Sequence, residues 1–280
     1  MELNVLLIVL GAAFLHAFWN AVAKSTGDPL INISGILTFG SFFALLILPF
    51  LGWPNSGIWL WVLASVFIHM CYAIALSYAY QSGDYSLAYP VARGMAPVFI
   101  AMASLLFLSD KVSVNQWVGI VGILAGVGLY SFHRFEQMLG NKRTILFSIL
   151  TAFFIASYSI LDGLASRAAE EPLQYIFYSI ALEFIPILIY TRWRRGPQTY
   201  HYIASNWRVL APSGVISAIA FSAVLYAMTM APIAMVAALR ETSIVFGALI
   251  GMFYLKESGG WRRIVAAIII FSSVVFMAIS

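Results

Sequence analysis

Residues 86–108 read SLAYPVARGMAPVFIAMASLLFL, and residues 234–255 read AMVAALRETSIVFGALIGMFYL. At 1.5 Å per helical residue, each run is long enough to cross a hydrocarbon core about 30 Å thick. Each also carries one arginine, Arg93 or Arg240, within largely apolar sequence. A charge at the middle of a membrane helix costs roughly 2.5–3.5 kcal/mol on insertion scales, so such residues face a protein interior or a substrate path. A lone arginine fits equally well as a structural group tied to backbone carbonyls. Here, however, the interval from Arg93 to Arg240 equals that from Asp110 to Glu257. That repetition favours a functional pair.

The rest of the chain has the same character. Of its 280 residues, 62% are hydrophobic and only 9% charged, against about 25% charged in a soluble domain. Mean hydropathy is +0.93. The aperiodic apolar runs fit helices rather than barrel strands, so the expected class is an all-α integral membrane protein whose partner is the lipid bilayer. The net charge of +4 comes from cations in short loops, which read as topology signals rather than a nucleic-acid surface. Cys71 is the only cysteine, which excludes an intrachain disulfide and a multi-cysteine metal site. The first run lacks a basic leader and carries His16, Trp19 and Asn20 near its end. It reads as a retained first helix, not a signal peptide.

Polar punctuation divides the chain into ten expected helices, near 3–23, 31–51, 58–80, 86–108, 115–132, 144–165, 173–190, 209–230, 233–255 and 261–279. In the first, residues 13–20 (AFLHAFWN) run parallel to residues 152–159 (AFFIASYS) in the sixth. Together with the repeated Arg-to-acid interval, this predicts two five-helix repeats, 1–138 and 139–280. An odd number of spans per repeat forces the second copy into the membrane upside down.

Cations set the expected orientation. Lys24, Arg134, Lys142, Arg143, Arg192, Arg194, Arg195, Arg208, Lys256, Arg262 and Arg263 fall in loops on one side, against Lys111 and Arg167 on the other. The positive-inside rule places the first set in the cytoplasm and both termini outside. A bacterial inner membrane is the expected location.

Several stretches carry a family likeness. They are His16-Ala17-Phe18-Trp19-Asn20 with Lys24, Tyr89-Pro90-Val91-Ala92-Arg93-Gly94-Met95-Ala96-Pro97, Ala238-Leu239-Arg240-Glu241-Thr242-Ser243, the acids Asp110 and Glu257, and the glycine-rich fifth span. With them the whole chain resembles the drug/metabolite transporter superfamily and, within it, the EamA-type family. The resemblance implies ten helices in two inverted halves and transport of a small molecule. Two departures matter. The small multidrug exporters of the superfamily use a glutamate in their first helix, whereas this chain has no acid between Glu2 and Asp28. The sixth span also lacks the His/Trp/Asn set of the first. Some close relatives in this family resemble permeases found with phosphonate-utilisation genes.

The intramembrane polar residues supply the expected substrate site. His16, Asn20 and Lys24 are spaced four apart and share one helical face, with Trp19 beside them. Tyr89 and Arg93 are also four apart, between prolines that free backbone carbonyls. Tyr78, Tyr158 and Tyr226 join Arg93 and Arg240 as expected lining residues, although packing between helices is the plainer role for any single aromatic. Glu183, Glu241 and Asp162 are the expected coupling or gating acids. Arg240 and Glu241, about 100° apart on a regular helix, are not expected to neutralise each other, and an Arg240–Glu183 pairing is left open. The lack of a glutamate after Arg93 makes Arg93 the expected free anion-binding group.

Arginine forks suit carboxylates, phosphates and phosphonates. The leading expectation is therefore a secondary transporter for a small metabolite with an anionic group, working by alternating access. A carrier of organic cations is the alternative. The chain contains no HExxH, GxSxG or P-loop motif, so an enzyme is disfavoured; no catalytic residue, metal or cofactor is expected. Gly122–Gly126 and Gly247–Gly251 form Gly-xxx-Gly steps that serve packing within a monomer or, alternatively, a dimer seam.

Overall fold

Long apolar runs that must satisfy their own backbone become helices, and the computed structural model describes residues 2–23, 27–82, 85–108, 112–132, 142–246 and 261–279. Within them lie α1 (Leu3–Ala23), α2 (Pro29–Leu51), a 3-10 turn (Ser56–Ile58), α3 (Trp59–Ser82), α4 (Tyr85–Phe107) and α5 (Val114–Phe132). The second half holds α6 (Lys142–Ala168), α7 (Pro172–Arg195), the short α8 (Gln198–Ser205), α9 (Trp207–Met230), α10 (Ile233–Arg240) and α11 (Trp261–Ile279). Among the described residues, five stretches are long and apolar enough to span a membrane: Pro29–Leu51, Ser56–Gln81, Lys142–Ala168, Pro172–Arg195 and Trp207–Met230. Large apolar side chains such as Phe50, Leu60 and Phe107 stay exposed, as expected where the surrounding solvent is lipid.

The helices of the two halves are cut by similar devices. Both α2 and α7 begin with proline in their first turn and end at a glycine of positive φ, 72° at Gly52 and 81° at Gly196. Proline needs no donor at that position, and glycine enters the left-handed region without a Cβ penalty. Asp28 caps α2 by accepting from the Leu30 and Ile31 amides at 2.9 and 3.3 Å.

Packing runs mostly between halves. Swapping the first half for the second converts the α3–α6 contact into α1–α9, and the α2–α9 contact into α3–α7. The α2–α7 and α5–α11 contacts map onto themselves. Helices α2 and α7 are antiparallel, because Ser34 meets Thr191 at 2.5 Å while Ser41 donates to the Ile180 carbonyl at 2.5 Å. The α2–α9 crossing is close: a Cβ on Gly214 would stand 2.5 Å from the Ile36 carbonyl oxygen and 2.8 Å from the Gly40 nitrogen. In α5, Gly122 and Gly126 face Ser273 and Ile270 of α11, so this glycine step packs within the chain. The other step, Gly247–Gly251, lies outside the described residues.

The ends of the bundle sort by charge. At one end Arg195 reaches Asp28 at 2.8 Å and Gln81 at 3.1 Å, and the Arg143 guanidinium sits over the Tyr78 ring. These contacts bring Asp28, Gln81, Arg143 and Arg195 to one end. At the other end Asn55 meets Glu170 and Gln174 donates to the Leu51 carbonyl, which joins the loops after α2 and α6. Of the expected basic set, Arg143, Arg194 and Arg195 lie together at one end.

One expected helix is broken. The ninth span, read as continuous over 233–255, stops as α10 at Arg240. Turn bonds from Glu241 N to Ala238 O and from Thr242 N to Leu239 O, both 3.0 Å, tighten the chain there. Helical residues resume over 243–246. The Thr242 hydroxyl also donates to the Leu239 carbonyl at 2.8 Å. Broken helices inside membranes are tolerated where protein surrounds the freed groups, and here residues 233–243 are all buried.

Candidate functional site

The break at Arg240 organises the first polar centre. Departure from regular helix brings neighbouring side chains together, and Arg240 Nε lies 3.7 Å from Glu241 Oε1. The other carboxylate oxygen, Oε2, lies 3.2 Å from Arg93 Nε on α4. Arg93 also donates to Ser243 Oγ at 3.1 Å. All three charged groups are buried, with Glu241 at 0% exposure. One carboxylate therefore lies between two guanidiniums in a medium where charge is poorly screened. Two expectations are corrected: Arg240 and Glu241 do approach each other, because the turn replaces the 100° helical step. Arg93 has an acid partner, because Glu241 reaches across from the other half. His16, half-buried on α1, lies within the electrostatic reach of both arginines.

A second centre joins α3, α6 and α7. His69 Nε2 lies 3.8 Å from Asp162 Oδ2 and 3.7 Å from Glu183 Oε1. Tyr175 donates to Asp162 Oδ1 at 2.6 Å. The His69 ring stacks on Tyr158 with centroids 4.2 Å apart, and Phe221 of α9 closes its edge at 5.3 Å. Glu183 faces His69 rather than Arg240. Tyr158 connects the centres: it stacks on His69 and feels the charges of Arg93, Arg240 and Glu241 as well as Asp162.

A family model for EamA-like transporters matches this chain twice, over residues 3–132 and 142–279. The chain belongs to the EamA-like transporter family. It is an integral membrane protein and, by family, a transporter. One solved crystal structure, described only as that of a protein, has 16% identity and a TM-score of 0.80, over 100% of this chain and 98% of the other. At that identity the likeness shows the fold alone. No protein among those with curated functions matches the sequence.

Other expected residues of this EamA-like chain lie elsewhere. Tyr78 sits at the basic end, 3.2 Å from the Tyr190 hydroxyl and within 3.3 Å of Arg194 Nη2, and stacks on Phe147. Tyr226 is exposed on α9. Lys24, Asp110 and Glu257 lie outside the described residues, as do the side chains of Trp19, Asn20 and Tyr89. The residue that sequence reasoning missed is His69. Its signal was present: a histidine at the middle of α3, one turn after Ser65 and just before Tyr72, in an otherwise apolar helix.

Proposed function

We propose that this EamA-like protein is a secondary active transporter for a small metabolite bearing a carboxylate, phosphate or phosphonate. The observation that carries the reading is the sharing of Glu241 by Arg93 and Arg240. Arg240 Nε and Nη2 are buried without a hydrogen-bond acceptor among the described residues. A guanidinium has five donors and gains most from planar oxyanions. An incoming anion would compete with Glu241 for both arginines and satisfy the open donors of Arg240.

Ten spans in two inverted five-helix halves support alternating access about this centre. The double family match, the exchangeable helix contacts and the antiparallel α2 and α7 all favour that plan. The basic end lies in the cytoplasm of a bacterial inner membrane with both termini outside, and the chain works as a monomer. His16, Trp19, Asn20, Lys24, Tyr89 and Tyr158 complete the substrate path around the two arginines.

A thermal-shift screen of the purified protein against amino acids, dicarboxylates, phosphonates and organic cations tests the substrate class. Stabilisation by an anionic or zwitterionic compound, lost in Arg93→Ala, is the expected result. Stabilisation by cations alone, retained in Arg93→Ala, would favour an organic-cation carrier.

A further inference from the structure

The centre on α3, α6 and α7 has more acceptors than donors, and the imbalance falls on one atom. His69 Nδ1 lies 3.0 Å from the Ser65 carbonyl oxygen. The Ser65 hydroxyl is also near Nδ1, at 3.3 Å; a carbonyl can only accept, so the shorter of the two contacts requires a hydrogen on Nδ1. Nε2 is then the atom that faces Asp162 Oδ2 and Glu183 Oε1. Neither of those oxygens has another hydrogen-bond partner among the described residues. The two acids are 0% and 5% exposed. With a neutral ring and two ionised carboxylates, a nitrogen lone pair would point at two anions where little solvent screens them. One added proton, on Nε2 or on a facing oxygen, converts that repulsion into a charge-assisted hydrogen bond.

We infer that His69, Asp162 and Glu183 form a proton-binding site joining α3, α6 and α7, and that it supplies the coupling ion for the transport proposed above. The site rests on geometry; its coupling role rests on the transporter reading. Asp162 is the fixed acceptor, since Tyr175 donates to its Oδ1 at 2.6 Å. Glu183 Oε1 faces His69, so the mobile proton passes between His69 Nε2 and Glu183 Oε1. The described residues hold no group of His, Cys, Asp and Glu arranged for a metal ion, and a shared proton suits separations of 3.7 and 3.8 Å that tighten on protonation.

The ionisable groups facing the site are Tyr158 and Asp162 from α6 and Tyr175 and Glu183 from α7. Helix α2 has no ionisable residue, and α9 supplies Phe221. Tyr158, stacked on His69, also lies within electrostatic reach of Arg93 of α4 and of Arg240 and Glu241 at the end of α10. Anion binding at the arginines thereby alters the field at the proton site.

Infrared pH-difference spectra of the wild-type protein in nanodiscs test this without a substrate, together with ¹⁵N-histidine spectra assigned with His69→Gln. The expected result is a buried carboxylic-acid band that disappears with rising pH at the same midpoint as the change in the His69 signal. Glu183→Gln should lose the band, while the exposed-site variant Glu170→Gln should keep it. A wild-type protein with no such paired titration overturns the inference whatever the variants do. So does a band that survives in both Glu183→Gln and Asp162→Asn. Solute movement in proteoliposomes without the paired titration would remove the proton site and leave transport standing. The titration without solute movement would establish the site and remove the coupling role.

Discussion

Arg93 and Glu241 come from opposite halves of the chain and meet at 3.2 Å, with Arg240 on the second carboxylate oxygen at 3.7 Å. Breaking a buried pair from one side leaves uncompensated charge and costs about 3–5 kcal/mol. Glu241→Ala, which strands two guanidiniums, should therefore lower the thermal midpoint more than Ser243→Ala, which removes one neutral acceptor. The double variant Arg93→Met/Glu241→Leu should recover part of the stability without recovering transport. Equal destabilisation by Glu241→Ala and Ser243→Ala would contradict the shared-carboxylate geometry.

Tyr175 is fully buried and gives its hydroxyl proton to Asp162. Tyr175→Phe leaves that oxygen unsatisfied, at a cost of roughly 1–3 kcal/mol. Tyr200→Phe, at an exposed position, should change the melting temperature little. Chemical or thermal unfolding of the two variants in one detergent measures the difference.

Much of this architecture was legible in the sequence because it rests on length and polarity. Span positions, the basic ends and the doubling follow from where apolar runs stop and cations collect. Arg93, Arg240, Glu241, Asp162 and Glu183 stood out because a charge inside such a run is expensive. Their partners were not legible. Glu241 meets Arg93 only because the ninth span breaks after Arg240, and no proline or glycine at that point announces the turn. His69 was overlooked because its partners come from α6 and α7, far along the chain. Tyr226, expected to line the path, is exposed on α9.

The α2–α9 crossing depends on two bare backbones. A side chain at Gly214 would meet the Ile36 carbonyl and the Gly40 nitrogen, and backbone has little room to yield. Gly214→Val should destabilise the protein by about 1–3 kcal/mol through overpacking. Gly11→Val, where nothing lies within 4 Å of the added Cβ, should not. Melting curves of both variants decide it.

Cys71 is the only native cysteine, so a Cys71→Ser background permits single-site labelling. Asn55 lies at one end of the bundle and Arg143 at the other. A membrane-impermeant maleimide added to intact cells should label Asn55→Cys and spare Arg143→Cys. The opposite pattern would reverse the proposed orientation.

Solute uptake into proteoliposomes tests the transport proposal most directly, using radiolabelled amino acids, dicarboxylates and phosphonates beside tetraphenylphosphonium as a cationic probe. The expected result is accumulation of at least one anion or zwitterion. Arg93→Ala should weaken its apparent affinity roughly ten- to a hundredfold, the equivalent of about 1.5–3 kcal/mol of charge-assisted bonding. Uptake of the cation alone, undiminished in Arg93→Ala, would contradict it.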